Sequence, residues 1–116
     1  MSPVPFGTPE GEFSITLGSG KEWHSNAISL VSGNTLTVTV LGNDRFYAAL
    51  LPREVYVKYR GTGVGRTFGF EFGTDTLSWT DRVRAKEDDD YYLVIRVGAF
   101  TPGVTTLRVR WRFTVK

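Results

Sequence analysis

The chain has 116 residues, is 41% hydrophobic and 14% aromatic, and carries 14 Lys and Arg against 12 Asp and Glu, a net charge of +2. That size corresponds to one domain, and folding buries about two-thirds of the surface its unfolded chain exposes; the apolar content excludes disorder. With no cysteine and one histidine, His24, the sequence excludes a disulfide framework, thiol chemistry, thiolate zinc sites, a His-based metal cage and any two-histidine mechanism.

Residues 1–11, with Pro3, Pro5 and Pro9, read as an extended N-terminal arm ahead of a domain over 12–116. The arm has neither the positive n-region nor the apolar h-region of a secretory signal. The expectation is therefore synthesis in the cytoplasm, with any work outside the cell done after lysis, through a dedicated system or as part of a particle. No run approaches the roughly 18 apolar residues of a membrane helix. Arginine outnumbers lysine ten to four, and glutamine is absent. A thermophilic source and a GC-rich genome explain that bias equally well.

From residue 12 onward the hydrophobic period is two. Phe13, Ile15 and Leu17 alternate with Ser14 and Thr16; Leu36, Val38 and Val40 alternate with Thr35, Thr37 and Thr39. Val55, Val57 and Tyr59 alternate with Tyr56, Lys58 and Arg60, and Phe68, Phe70 and Phe72 with Thr67, Gly69 and Glu71. Leu107, Val109, Trp111, Phe113 and Val115 alternate with Arg108, Arg110, Arg112 and Thr114. This pattern predicts strands at 12–17, 26–31, 34–41, 45–51, 54–60, 66–72, 76–86, 91–99 and 104–115, each with one buried and one wet face. Turn residues separate them at Ser32-Gly33-Asn34, Gly42-Asn43-Asp44, Glu87 to Asp90 and Thr101-Pro102-Gly103. No stretch shows a helical period. About 8–9 short strands at roughly ten-residue spacing predict a single antiparallel β-sandwich, favoured over a barrel.

Two segments add a family resemblance. Leu30 to Val40 (LVSGNTLTVTV), followed by Ala49-Leu50-Leu51-Pro52, and Asp89 to Val97 (DDYYLVIRV), followed by Val104 to Val109, form a turn-then-strand order across about 80 residues. This order resembles the small jelly-roll-like β-sandwich modules of the pre-peptidase C-terminal and GOLD-like kind. The resemblance implies a jelly-roll-like fold and a non-catalytic role. Such modules are appended to secreted enzymes or sorting proteins and sometimes carry calcium sites.

Several residue sets invite chemistry. Gly61-x-Gly63-x-Gly65 suggests a phosphate loop, but the required lysine and following helix are absent, which leaves a hairpin connection. Asp88, Asp89 and Asp90, after Glu87, are candidate calcium ligands, because that ion takes several hard oxygens, but the run lacks EF-hand spacing, and a solvated turn that breaks a strand and blocks edge pairing is favoured over a metal site. His24 beside Ser25 lacks a nucleophile elbow, so hydrolysis is not expected. Glu54, Glu71 and Asp81 are the carboxylates available for glycoside chemistry, in a fold that offers little cleft. No cofactor and no enzymatic activity are expected.

The arginines carry the most specific signal. Arg108, Arg110 and Arg112 share one side of one strand, Arg82 and Arg84 repeat the spacing, and Arg96 lies between Ile95 and Val97. If those three strands are neighbours, like charges oppose one another and something must offset them: Glu71 or Asp81, a neighbouring subunit, or a polyanion. A solvated face, a protein contact and an anion contact are the three readings; nucleic acid is disfavoured by the small net charge. Among the aromatics, Trp23, Tyr56, Trp79 and Tyr92 are the candidates for exposure and for stacking on a sugar. The expected function is a non-enzymatic structural or interaction domain, such as a capsid, spike or tail component of a virion, homo-oligomeric or built into a particle. A ligand-binding accessory module for carbohydrate or calcium-dependent adhesion is the alternative.

Overall fold

The structure, a computed structural model, describes residues 10–62, 76–98 and 103–114. In chain order these form β1 (Glu10–Gly18), β2 (Glu22–His24), β3 (Ile28–Leu30), β4 (Thr35–Pro52), α1 (Arg53–Thr62), β5 (Thr76–Arg84), β6 (Asp89–Arg96) and β7 (Val104–Thr114). The fold is mostly β, and its seven described strands make a curled antiparallel sheet with the shape of a half-barrel. The order is β1-β7-β4-β6-β2, with β3 also on β6 and β5 also on β4.

The curl comes from β4. Its first part, Thr35 to Gly42, lies between β7 and β5; its second part, Tyr47 to Pro52, pairs with β6. Between them the register shifts, from Leu41 to Phe46. Gly42 permits the bend, since a Cβ there would lie 2.7 Å from the Asp44 carbonyl oxygen and 2.8 Å from the Phe46 ring. Asn43 fills the gap in the ladder: its Oδ1 accepts from the Thr106 backbone N–H at 2.9 Å. The Gly-Asn-Asp run that reads as a turn between two strands is thus a bulge inside one.

Alternation survives the bulge. Leu36, Val38 and Val40 before it, and Phe46, Ala48 and Leu50 after it, all enter the same concave core. Leu93, Ile95 and Val97 from β6 and its end, Leu107, Val109 and Trp111 from β7, and Leu17 from β1 complete that core. Phe46, Leu93, Ile95 and Leu107 are fully buried.

Two predicted strands are corrected. The predicted strand at 26–31 is only Ile28–Leu30, and Glu22–His24 forms a separate short strand before it. The strand predicted at 54–60 is the helix α1. Its ten residues are too few for period alone to decide, and adjacent Val55 and Tyr56 both pack inward while Val57 is 56% exposed. Glu54 in the first turn suits the helix dipole and reaches Lys58 at 3.7 Å, one turn on. The helix covers a second, smaller core of Ala49, Leu51 and Val94 on the outer side of the β4–β6 pair. The expected arm over 1–11 ends early, because Glu10 and Gly11 already pair with Arg112 and Trp111. Residues 1–9, the predicted strand at 66–72 and Gly63 and Gly65 of the glycine loop lie outside the described residues.

Candidate interaction face

The half of the sheet built by β1, β7, the first part of β4 and β5 has one face in the core and one facing out. Strand parity decides which residues reach the outer face. From β1 these are Glu10, Glu12 and Ser14; from β7 Arg108, Arg110 and Arg112; from β4 Thr35, Thr37, Thr39 and Leu41; from β5 Ser78, Thr80, Arg82 and Arg84. The register arranges them in rows. One row runs Glu10, Arg112, Thr37, Arg82, and the next Glu12, Arg110, Thr39, Thr80. The five arginines are all exposed.

This register corrects the expected neighbourhood of the arginines. β7 and β5 do not pair with each other; both flank β4, so a column of threonines separates the two arginine columns. Two strand spacings set the columns about 10 Å apart, and opposed like charges are avoided. Arg96 belongs elsewhere: on β6 it stands half-buried between Glu22 of β2 and Tyr47 of β4.

The counter-charge also differs from expectation. Among the described residues it is Glu12, rather than Asp81, that meets Arg108 and Arg110. Arg110 donates from Nε to Glu12 Oε1 at 2.6 Å, and Arg108 Nε lies 4.0 Å from Oε2. The hydrogen bond from Arg110 holds the Glu12 carboxyl below its ordinary value of 4.5, against the opposing effect of desolvation and with further help from the charges of Arg110 and Arg108. Asp81 sits opposite Val38, on the other side of β5, and Glu71 is outside the described residues. Among the described residues, Arg82, Arg84 and Arg112 have no carboxylate within ion-pair distance. Thr39 and Thr80 share a hydroxyl hydrogen bond of 3.2 Å between the columns.

The stacking candidates divide. Trp23 is 8% exposed, with its ring 5.6 Å from that of Phe13 in the core, and Tyr56 is 6% exposed, so the expectation that these two face solvent is corrected. Trp79 is half-buried opposite Val40. Tyr92, also half-buried, stacks on Tyr56 at 3.9 Å and 10°. The Tyr56 hydroxyl meets His24 Nδ1 at 2.9 Å, and His24 Nε2 contacts the Glu22 carboxylate. With Nε2–H donating to Glu22, Nδ1 accepts from the tyrosine. This chain of contacts seats α1 on the sheet. Ser25 points away from it: the buried hydroxyl donates to the Asn26 carbonyl and accepts from the Leu93 N–H, so His24 and Ser25 form no nucleophile–base pair.

The acidic turn is shaped by its own hydrogen bonds. Asp88 Oδ1 accepts from the Ser32 N–H at 2.9 Å and Asp90 Oδ1 from the Ser29 hydroxyl at 3.1 Å. Burial, then the charges of Asp89 and Glu87, push the Tyr91 phenol above its ordinary value. An open groove of about 330 Å³ beside the turn is lined by Ser29, Val31, Arg53 and Asp88 to Asp90. Among the described residues, no three acidic or histidine side chains are grouped to hold a metal ion. Glu54 is exposed on α1, far in kind from a paired catalytic carboxylate.

Sequence reading missed the threonine column and the role of Glu12. The first needs the strand order; the second is visible as the Glu10–Glu12 alternation that matches Arg110–Arg112. No protein-family model and no curated protein matches the chain.

Proposed function

We propose that this domain is a non-enzymatic interaction module that works by self-association within a larger protein assembly, with the Arg–Thr face as its contact surface. One observation carries the reading: the two outer faces of the sheet are treated differently. α1 closes the outer side of the β4–β6 pair with Tyr56 and Val55, whereas the face of Arg82, Arg84, Arg108, Arg110 and Arg112 is exposed. Arginine is enriched at protein interfaces, and its planar fork binds carboxylates in pairs. Three of these guanidinium groups lack a carboxylate partner among the described residues, so a neighbour can satisfy them without breaking an internal pair.

The finer fold in this reading is a single jelly-roll-like β-sandwich. The setting is a particle such as a virion capsid, spike or tail. The expected arm fits it, because β1, the strand that follows the arm in sequence, ends the order of the described strands, and an edge strand is where strand addition operates. The test is the mass of the full chain by light scattering across concentration, beside the variant Arg82→Gln/Arg84→Gln/Arg112→Gln. The expected result is a mass above one chain that grows with concentration and falls in the variant. A wild-type chain that stays monomeric at the highest attainable concentration overturns the reading.

A further inference from the structure

The chain carries its own complement to the arginine face. The turn between β5 and β6 holds Glu87 and Asp88, both exposed, and runs into Asp89 and Asp90, the half-buried first residues of β6. Asp88, Asp89 and Asp90 each spend one oxygen on a local hydrogen bond. These bonds fix the turn's shape without neutralising it, and among the described residues none of the four acids is in an ion pair. A carboxylate has about four acceptor positions, so each acid keeps capacity for an outside donor.

Resting on the assembly reading above, we propose that the occupant of the Arg–Thr face is the Glu87–Asp90 turn of a second copy of this chain. Two physical arguments select it. Face-to-face pairing about a two-fold axis would oppose two surfaces that each carry five arginines and two glutamates, which repel. The counter-charge must come from another part of the copy, and this turn is the densest acidic run in the chain. The shape agrees. Short Thr37 and Thr39 between the long side chains of Arg110 and Arg112 on one flank and Arg82 and Arg84 on the other make a trough about 10 Å across. A single turn enters such a trough with guanidinium groups on both sides of its carboxylates. One copy presents the trough and the turn at different places, so the contact is head-to-tail and propagates into a ring or a filament.

Two variants test the inference. Arg82→Glu/Arg84→Glu spoils the face. Glu87→Lys/Asp88→Asn spoils the turn, while the amide oxygen introduced at position 88 still accepts from the Ser32 N–H. Sedimentation of the full chain at low salt is expected to show association of the wild type, weakened about tenfold or more in each variant alone. An equimolar mixture is expected to recover complexes of two chains and no larger species, because one partner keeps its turn and the other its face; that recovery also shows both variants to be folded. Added salt is expected to dissolve the wild-type complex, since screening acts within about 8 Å at physiological ionic strength. Association lost in the face variant but intact in the turn variant overturns the inference and leaves the assembly reading standing. Association untouched by both overturns both. A monomeric wild type that binds single-stranded DNA in a salt-sensitive way assigns the face to a polyanion instead, and overturns both.

Discussion

Arg110 reaches across from β7 to Glu12 on β1 at 2.6 Å, and Arg108 brackets the same carboxylate from its other oxygen. The pair lies at the exposed side of the sheet, so its consequence is a pH dependence rather than a large stabilisation. The folded-state pKa of Glu12 is lowered, first by the Arg110 hydrogen bond. A carboxyl with a depressed folded pKa contributes stability that is present above its unfolded value and lost as pH falls through the folded one. Glu12→Gln is expected to melt below the wild type near neutral pH, with the difference shrinking to nothing in acid and in high salt. Thermal unfolding followed across pH checks this; a difference that persists in strong acid would assign the effect to packing.

The contact of Tyr56 with Tyr92 fixes the place of α1. Tyr56→Ala removes a stacked ring and uncovers Ala49, Leu51 and Val94. A loss of about 3 kcal/mol or more is expected from large-to-small replacement of a buried aromatic. Tyr56→Phe keeps the stack and takes only the hydroxyl from His24 Nδ1, so a loss of about 1 kcal/mol is expected. Denaturant unfolding of the two variants separates ring from hydroxyl. Equal losses would show that the hydrogen bond to His24, not the stack, holds the helix.

Gly42 tests the bend in β4. A Cβ at this position meets backbone oxygen at 2.7 Å, which cannot swing aside as a side-chain end can. Gly42→Ala is expected to cost about 1–3 kcal/mol, the range for overpacking a tight site. The Thr106 amide, bonded to the Asn43 side chain, reports the bend locally. Its hydrogen exchange is expected to speed up in the variant more than that of Val109, deep in β7. An unaltered melting temperature would mean that the bend does not depend on the missing side chain.

These cases mark what a linear reading reaches. The inward sets Leu36-Val38-Val40 and Leu107-Val109-Trp111 follow from alternation, because period two is a local property of an extended chain. The joining of 34–41 to 45–51 does not follow, since Gly-Asn-Asp serves a turn or a bulge equally well. The side-chain bond from Asn43 to Thr106, on a strand distant in sequence, selects between them. The helix at Arg53–Thr62 was hidden by β-branched Val55 and Val57 at alternating positions; packing of Val55 and Tyr56 on β4 and β6 overrides that local preference. At the candidate face, the spacing of Arg108, Arg110 and Arg112 is legible in one strand. Their separation from Arg82 and Arg84 by Thr37 and Thr39 depends on strand order, which long-range pairing sets.

Thr105 carries the last expectation. It lies on the inward side of β7, opposite Leu17, with no exposed surface, and its hydroxyl has no hydrogen-bond partner among the described residues. Burying a hydroxyl without a partner costs free energy that an apolar group of the same shape does not. Thr105→Val replaces the hydroxyl by a methyl and keeps the β-branch that suits a strand. The variant is expected to be more stable by about 1 kcal/mol, the usual penalty of one unsatisfied buried polar group. Thr105→Ser is expected to be less stable than wild type, because it keeps the hydroxyl and loses the methyl. Chemical denaturation of the three proteins should therefore rank them Val, Thr, Ser, and a valine variant less stable than wild type would show that the hydroxyl is satisfied in solution.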